Sequence, residues 1–117
     1  MENYKTAHCY NAGKIGGMPY ITAHKNFEQA DKEIGNLGWE SVNPLYNGLQ
    51  ASAPWIIHMA VDLCLLASCR AVYFQRNWKN SRGARIEHRV AKFLRKTIIY
   101  QPETDKGRDL CKGIVQE

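Results

Sequence analysis

The sequence predicts an α/β fold, a small parallel sheet covered by helices on both faces. Three observations carry that reading. Short apolar or β-branched runs alternate along the chain with longer stretches of helical spacing. Ala71-Val72-Tyr73-Phe74 is an apolar, partly β-branched run that reads as a buried strand. From there to Tyr100 the chain spells strand, polar loop, helix, strand, which is the unit from which parallel sheets are built.

The first strand is expected over Thr6–Asn11 and runs into Ala12-Gly13-Lys14-Ile15-Gly16-Gly17. Three glycines after a strand let the backbone turn tightly and approach a ligand, though neither the P-loop pattern nor a G-x-G-x-x-G fingerprint is present. Met18 to Lys25 is expected to be irregular. Asn26 then caps a helix, with Gln29 as its capping-box partner, Phe27, Ala30, Ile34 and Leu37 on one face and Gly38 as the stop. Trp39–Asn43 reads as the second strand, closed by Pro44. After a polar loop, Ser52 is the expected cap of a helix running to Ser68, with Pro54 in its first turn. Trp55, Met59 and Leu66 form an apolar stripe that contains Asp62. An acid there is either paired and functional or turned outward by the helix register.

The stretch from Asn77 to Thr97 organises the rest. Asn80 or Ser81 can cap its helix, because a short polar side chain accepts from the first free N–H groups. Ile86, Val90 and Phe93 recur at helical spacing and are the expected core face. Glu87, Ala91 and Leu94 lie one step round, so Glu87 borders that face. Thr97–Tyr100 is the last strand of the unit, closed by Gln101-Pro102. Asp105 is read as the cap of a C-terminal helix with Leu110, Ile114 and Val115 as its apolar members. The loop from Gln75 to Ser81 would lie at the carboxyl ends of the strands, where ligands of open α/β sheets bind.

The chain is 117 residues long and is read as one domain, 1–117. No window approaches the roughly 20 apolar residues of a membrane span, and the N-terminus lacks a signal-peptide core, so the expected location is the cytoplasm. Cys9, Cys64, Cys69 and Cys111 are scattered and read as reduced thiols. His8, His24, His58 and His88 show no metal spacing, and no metal or other cofactor is expected. Sixteen lysines and arginines against 11 acids give a net charge of +5. Eight of the 16 cations fall between Arg76 and Lys96, so the charge gathers around one helix. That suits an anionic partner such as a nucleotide, or is a solvated basic surface.

Several segments in order resemble a known superfamily. Cys9-Tyr10-Asn11-Ala12-Gly13-Lys14-Ile15-Gly16-Gly17 is similar to the opening strand and loop of nucleoside 2-deoxyribosyltransferases and of 2'-deoxynucleoside 5'-monophosphate N-glycosidases. Asn26-Phe27 and Gly38-Trp39-Glu40-Ser41-Val42-Asn43-Pro44 look like the small phage and bacterial branch labelled DUF4406. So do Asp62-Leu63, Ala71 to Phe74, Trp78, Ser81, Gly83-Ala84 and Glu87. The resemblance covers Tyr4 to Tyr100. It implies a single-domain, flavodoxin-like (Rossmann-like) three-layer sandwich, a homodimer or larger homo-oligomer, and chemistry at the N-glycosidic bond of a deoxynucleoside or its 5'-monophosphate. It places the nucleophile at Glu87, a sugar-contacting or proton-handling acid at Asp62, and a phosphate contact at Ser81. It places further nucleotide contacts at Gly13, Ile15, Gly16, Gly17 and Tyr10. The hydrolases carry an arginine where this chain has Gly16, and Lys14 or Arg82 can supply that charge.

Such a bond breaks with positive charge growing at the anomeric carbon, which a carboxylate stabilises or captures covalently while an acid protonates the base. From spacing alone Glu87 equally suits a surface ion pair with Arg85, Arg89 or Lys92. Ser81 suits both a phosphate contact and a plain cap. Trp78 is a wall for a base or a loop anchor; Arg82 and Gly83 follow Ser81 at the helix start. The basic helix and the segment Tyr46 to Trp55 are the candidate interface surfaces. Two other functions compete: a protein that sequesters a nucleotide without turnover, and a basic nucleic-acid-binding module. The absence of a helix-turn-helix cue or interleaved aromatics argues against nucleic acid as the partner.

Overall fold

The computed structural model describes residues 8–46, 48–50 and 52–102, and the backbone of 114–116. Strand β1 (His8–Ala12) is followed by helix α1 (Tyr20–Asn36) and strand β2 (Glu40–Val42). A 3₁₀ turn (Pro44–Tyr46) leads toward helix α2 (Trp55–Ser68) and strand β3 (Ala71–Phe74). A second 3₁₀ turn (Trp78–Asn80) precedes helix α3 (Arg82–Phe93), strand β4 (Thr97–Tyr100) and strand β5 (Ile114–Gln116).

The sheet order is β2-β1-β3-β4-β5. The first four strands run parallel, with Tyr10 opposite Val42 on one side and Val72 on the other, and Val72 opposite Ile98. β5 joins β4 antiparallel. This is the order of flavodoxin-like sheets. The chain leaves β1 toward β2 and later crosses back toward β3, so right-handed connections place α1 on one face and α2 and α3 on the other. Side chains alternate accordingly: Cys9, Ala71, Tyr73 and Ile99 meet Ala30 and Ile34 of α1. Tyr10, Ala12, Val72, Phe74 and Ile98 meet Leu66 of α2 and Ala91 of α3. The fold is thus a three-layer α/β sandwich. Each fully buried large side chain, such as Phe74 or Leu66, contributes about 1.5–3 kcal/mol relative to exposure.

Where the connections diverge, between β1 and β3, two loops face each other beyond the strand ends. Gln75 N–H donates to Ala12 O at 2.8 Å, and the Gln75 amide donates to Asn11 Oδ1 at 2.8 Å. A Cβ on Gly13 would stand 2.4 Å from Gln75 Cδ, so only glycine lets the opening loop lie this close. Asn11 in turn donates to Asp31 Oδ1 at 2.8 Å, and Asn43 donates to Asp31 Oδ2 at 3.0 Å, tying the end of β1 and the residue after β2 to α1.

Four expectations are corrected. α1 starts at Tyr20 behind Pro19, so Met18 to Lys25 is largely helical and Asn26 is an interior residue. Its partner Gln29 instead donates to Glu33 at 3.0 Å. α2 starts behind Pro54 without a side-chain cap, so Ser52 does not cap it. On α3 the buried line is Ala84, Glu87 and Ala91; Ile86 and Val90 are half-buried and Phe93 is 84% exposed. Ile114 and Val115 lie in a strand, not a helix, because their backbone pairs with Tyr100 and Ile99 of β4. The proposed cap Asp105 and Leu110 fall outside the described residues.

Helices α1 and α3, on opposite faces of the sheet, both close with a left-handed residue, α1 at Gly38 and α3 at Arg95. After α1 the N–H groups of Gly38 and Trp39 donate back to Gly35 and Ile34, and Gly38 takes the left-handed φ of 94° that this turn requires. After α3 the same turn is made by Arg95 at φ 59°, with Lys96 N–H donating to Ala91 O at 2.9 Å.

Candidate functional site

A cavity of about 860 Å³ opens at the carboxyl ends of β1 and β3. The opening loop contributes Gly13, Lys14, Ile15 and Gly16 to its wall, and the start of α3 contributes Ser81, Arg82 and Gly83. Met59 and Asp62 enter from α2 and Glu87 from α3. Tyr20, Leu45 and Trp55 add an apolar and aromatic side. The size is that of a small-molecule pocket.

The two carboxyls are brought together by packing. α2 and α3 lie side by side so tightly that a Cβ on Gly83 would meet Met59 Sδ at 3.1 Å. Asp62 is 7% and Glu87 5% exposed, so neither the outward register for Asp62 nor the surface ion pair for Glu87 is realised. Beneath them Tyr10, buried in the sheet, donates its hydroxyl to Glu87 Oε2 at 2.6 Å. Burial pushes the Glu87 carboxyl up to about 8; the Tyr10 hydrogen bond opposes that rise and the charge of Asp62 adds to it. Tyr10 itself is held well above the usual phenol range, first by burial and then by Glu87 and Asp62, so it stays a donor.

Another part of the cavity wall is cationic and rich in N–H groups. Ser81 stands at the N-cap of α3, where its Oγ accepts from Ala84 N–H at 3.2 Å. The first N–H groups of a helix have no carbonyl one turn back, and such an end suits an anion. Lys14 joins the two loops: its Nζ donates to Asn80 O at 2.9 Å and its N–H to Asn77 Oδ1 at 3.1 Å. The Arg82 guanidinium lies over the Trp55 ring, 4.4 Å from its centre.

Among the sequence-predicted residues, Gly13, Lys14, Ile15, Gly16, Asp62, Ser81, Arg82, Gly83 and Glu87 meet at this cavity. Three lie off its wall. Tyr10 acts from beneath through Glu87. Gly17 takes a φ of 84° and completes the turn of the opening loop. Trp78 stacks on the His88 ring at 4.2 Å and tilts against Phe74 at 5.3 Å, which is the loop-anchor role. Sequence reasoning missed Tyr20, Leu45, Met59 and Arg85 as wall residues. Met59 was visible as a member of the Trp55–Asp62 stripe but reads there as core.

No curated protein matches the chain. The model of one family, Domain of unknown function (DUF4406), matches residues 7–100. That span holds β1 to β4, both loops of the cavity and both carboxyls, and the chain belongs to the DUF4406 family.

Proposed function

We propose that the chain acts at the N-glycosidic bond of a 2'-deoxynucleoside or its 5'-monophosphate, by hydrolysis or transfer, with Glu87 as the nucleophile. The observation that carries this reading is the buried Glu87 carboxyl on the cavity wall, held by Tyr10 at 2.6 Å beside a second buried carboxyl, Asp62. Two carboxyls in different settings are what glycosidic cleavage needs. Glu87 first passes its proton to Asp62. Its carboxylate then bonds to C1' while the C1'–N bond breaks, and the base leaves with that electron pair and the proton from Asp62. Water or a second base next attacks C1', Asp62 takes up the released proton, and the Glu87–C1' bond returns its electrons to the carboxylate. Ser81, the start of α3, Lys14 and Arg82 suit a 5'-phosphate, and Trp55 and Tyr20 suit a base. A screen of deoxynucleosides and their monophosphates for free-base release tests the reading; no release from any of them removes it.

One observation favours a second reading, sequestration of a nucleotide without turnover. The Glu87 carboxyl is buried and held by the Tyr10 hydroxyl, and burial pushes it up to about 8, toward the protonated form, which suits a hydrogen-bonding group better than a nucleophile. Tight monophosphate binding without base release would select it.

The same reading includes assembly. Trp55, Ile56 and Ile57 at the start of α2 and Tyr46 nearby are 43%, 63%, 44% and 65% exposed, an apolar rim that a second copy would cover. Light scattering at micromolar concentration should give at least a dimer mass, and a monomer would count against it.

A further inference from the structure

We propose that the outer face of α3 is a docking surface for single-stranded DNA. Nucleic acid looks a poor partner from the sequence because no aromatic is interleaved with the cations. The structure supplies one: Phe93, expected in the core, is 84% exposed at the end of the most basic helix. Arg82, Arg85, Arg89 and Lys92 are all exposed and recur at three- and four-residue spacing, so they form one stripe beside it. At 1.5 Å per residue the stripe is about 15 Å long, the length of about four nucleotides of a stacked strand.

The charge on this face is unbalanced. Between Asp62 and Glu103 the one acid is Glu87, which points inward and is buried. Among the described residues no carboxylate pairs with a cation of α3, and the described exposed acids, Glu28 and Glu40, lie on α1 and β2. A second copy of the same face would set like charges against each other. A flexible polyanion relieves the repulsion and releases counterions. The exposed ring favours a single strand, whose unpaired bases stack on aromatic side chains, over a duplex. Arg82 and Arg85 also line the cavity, so a strand on the stripe reaches the cavity mouth. The choice of DNA over RNA rests on the deoxyribosyl reading of that cavity; the stripe and Phe93 do not depend on it.

Fluorescence anisotropy of a labelled single-stranded DNA dodecamer, read across a salt series, tests the surface. Four phosphates neutralised give a slope of log K on log salt near about −3. Arg89→Glu with Lys92→Glu, neither on the cavity wall, should weaken binding at least about tenfold and flatten the slope. Phe93→Ala should weaken binding and leave the slope unchanged. A cooperative thermal transition without ligand, at a midpoint close to the parent's, shows that each variant folds. Unchanged dodecamer binding in the double variant overturns the proposal. So does equal binding of polyglutamate, or tighter binding of the matching RNA or duplex. Base release from free monophosphates is measured separately; if it is absent while the dodecamer behaves as expected, the cavity reading fails and the docking surface stands.

Discussion

Tyr10 on β1 donates its hydroxyl to Glu87 Oε2 on α3 at 2.6 Å, joining residues 77 positions apart. Both side chains are buried, Tyr10 fully and Glu87 to 5% exposure. The bond fixes one carboxylate oxygen against the centre of the sheet and opposes the rise that burial imposes on the Glu87 proton. A single phenol therefore sets both the direction of the carboxyl and its readiness to ionise.

Tyr10→Phe removes the hydroxyl and keeps the ring. The Glu87 carboxyl should then hold its proton more tightly, because the lost bond is the one influence lowering it. In the proposed cycle the two carboxyls use that one proton, so base release should fall as the proton is lost above about pH 8, and the fall should move to higher pH in the variant. The buried acceptor left behind should cost about 1–3 kcal/mol of stability by urea denaturation. A pH profile identical to the parent's would show that Tyr10 does not tune Glu87.

The same carboxyl makes stability depend on pH in a definite direction. Its folded value, about 8, lies above its ordinary 4.5, so its contribution is fully present below pH 4.5 and is lost as pH rises toward 8. Glu87→Gln cannot ionise. Relative to this variant, the parent should lose stability between pH 5 and pH 8, by more than about 1 kcal/mol at a scale of about 1.4 kcal/mol per unit. Parallel stability curves for the two proteins across that range would show that Glu87 ionises as freely in the fold as in water.

The sheet was legible in the sequence because its strands are short apolar runs between clear punctuation. Gly38 and Pro44 bracket β2, and Ser81 marks the start of α3. The start of α1 was hidden because no polar side chain caps it: Pro19 stands there, and Asn26 imitates a cap inside the helix. α3 was read one step out of register. Ile86, Val90 and Phe93 carry the apolar signal, yet the helix packs through Ala84 and Ala91, whose small side chains permit close approach and place Glu87 between them. Phe93 closes the helix and stays outside. β5 was misread because its pairing with β4 is a non-local contact that helical spacing of Leu110 and Ile114 obscured. For the site, Asp62 and Glu87 were visible as acids near apolar stripes. The partner of Glu87 was not, since nothing local links Tyr10 to it.

Ser81→Ala removes the N-cap acceptor from Ala84 N–H, and the loss should lower stability by about 1 kcal/mol. If the start of α3 also holds a phosphate, the variant should bind a deoxynucleoside monophosphate more weakly and the matching nucleoside nearly unchanged, as calorimetry can read. Equal weakening of both ligands would leave Ser81 a cap alone.

The most direct measurement is free-base release from deoxynucleoside monophosphates by the parent and by Glu87→Gln, with monophosphate affinity determined for both. The parent should release base. The variant should do so at least about a hundredfold more slowly, as expected when a positioned charged group is removed, while binding stays within about tenfold. Release by Glu87→Gln as fast as by the parent would contradict the assignment of Glu87 as the nucleophile.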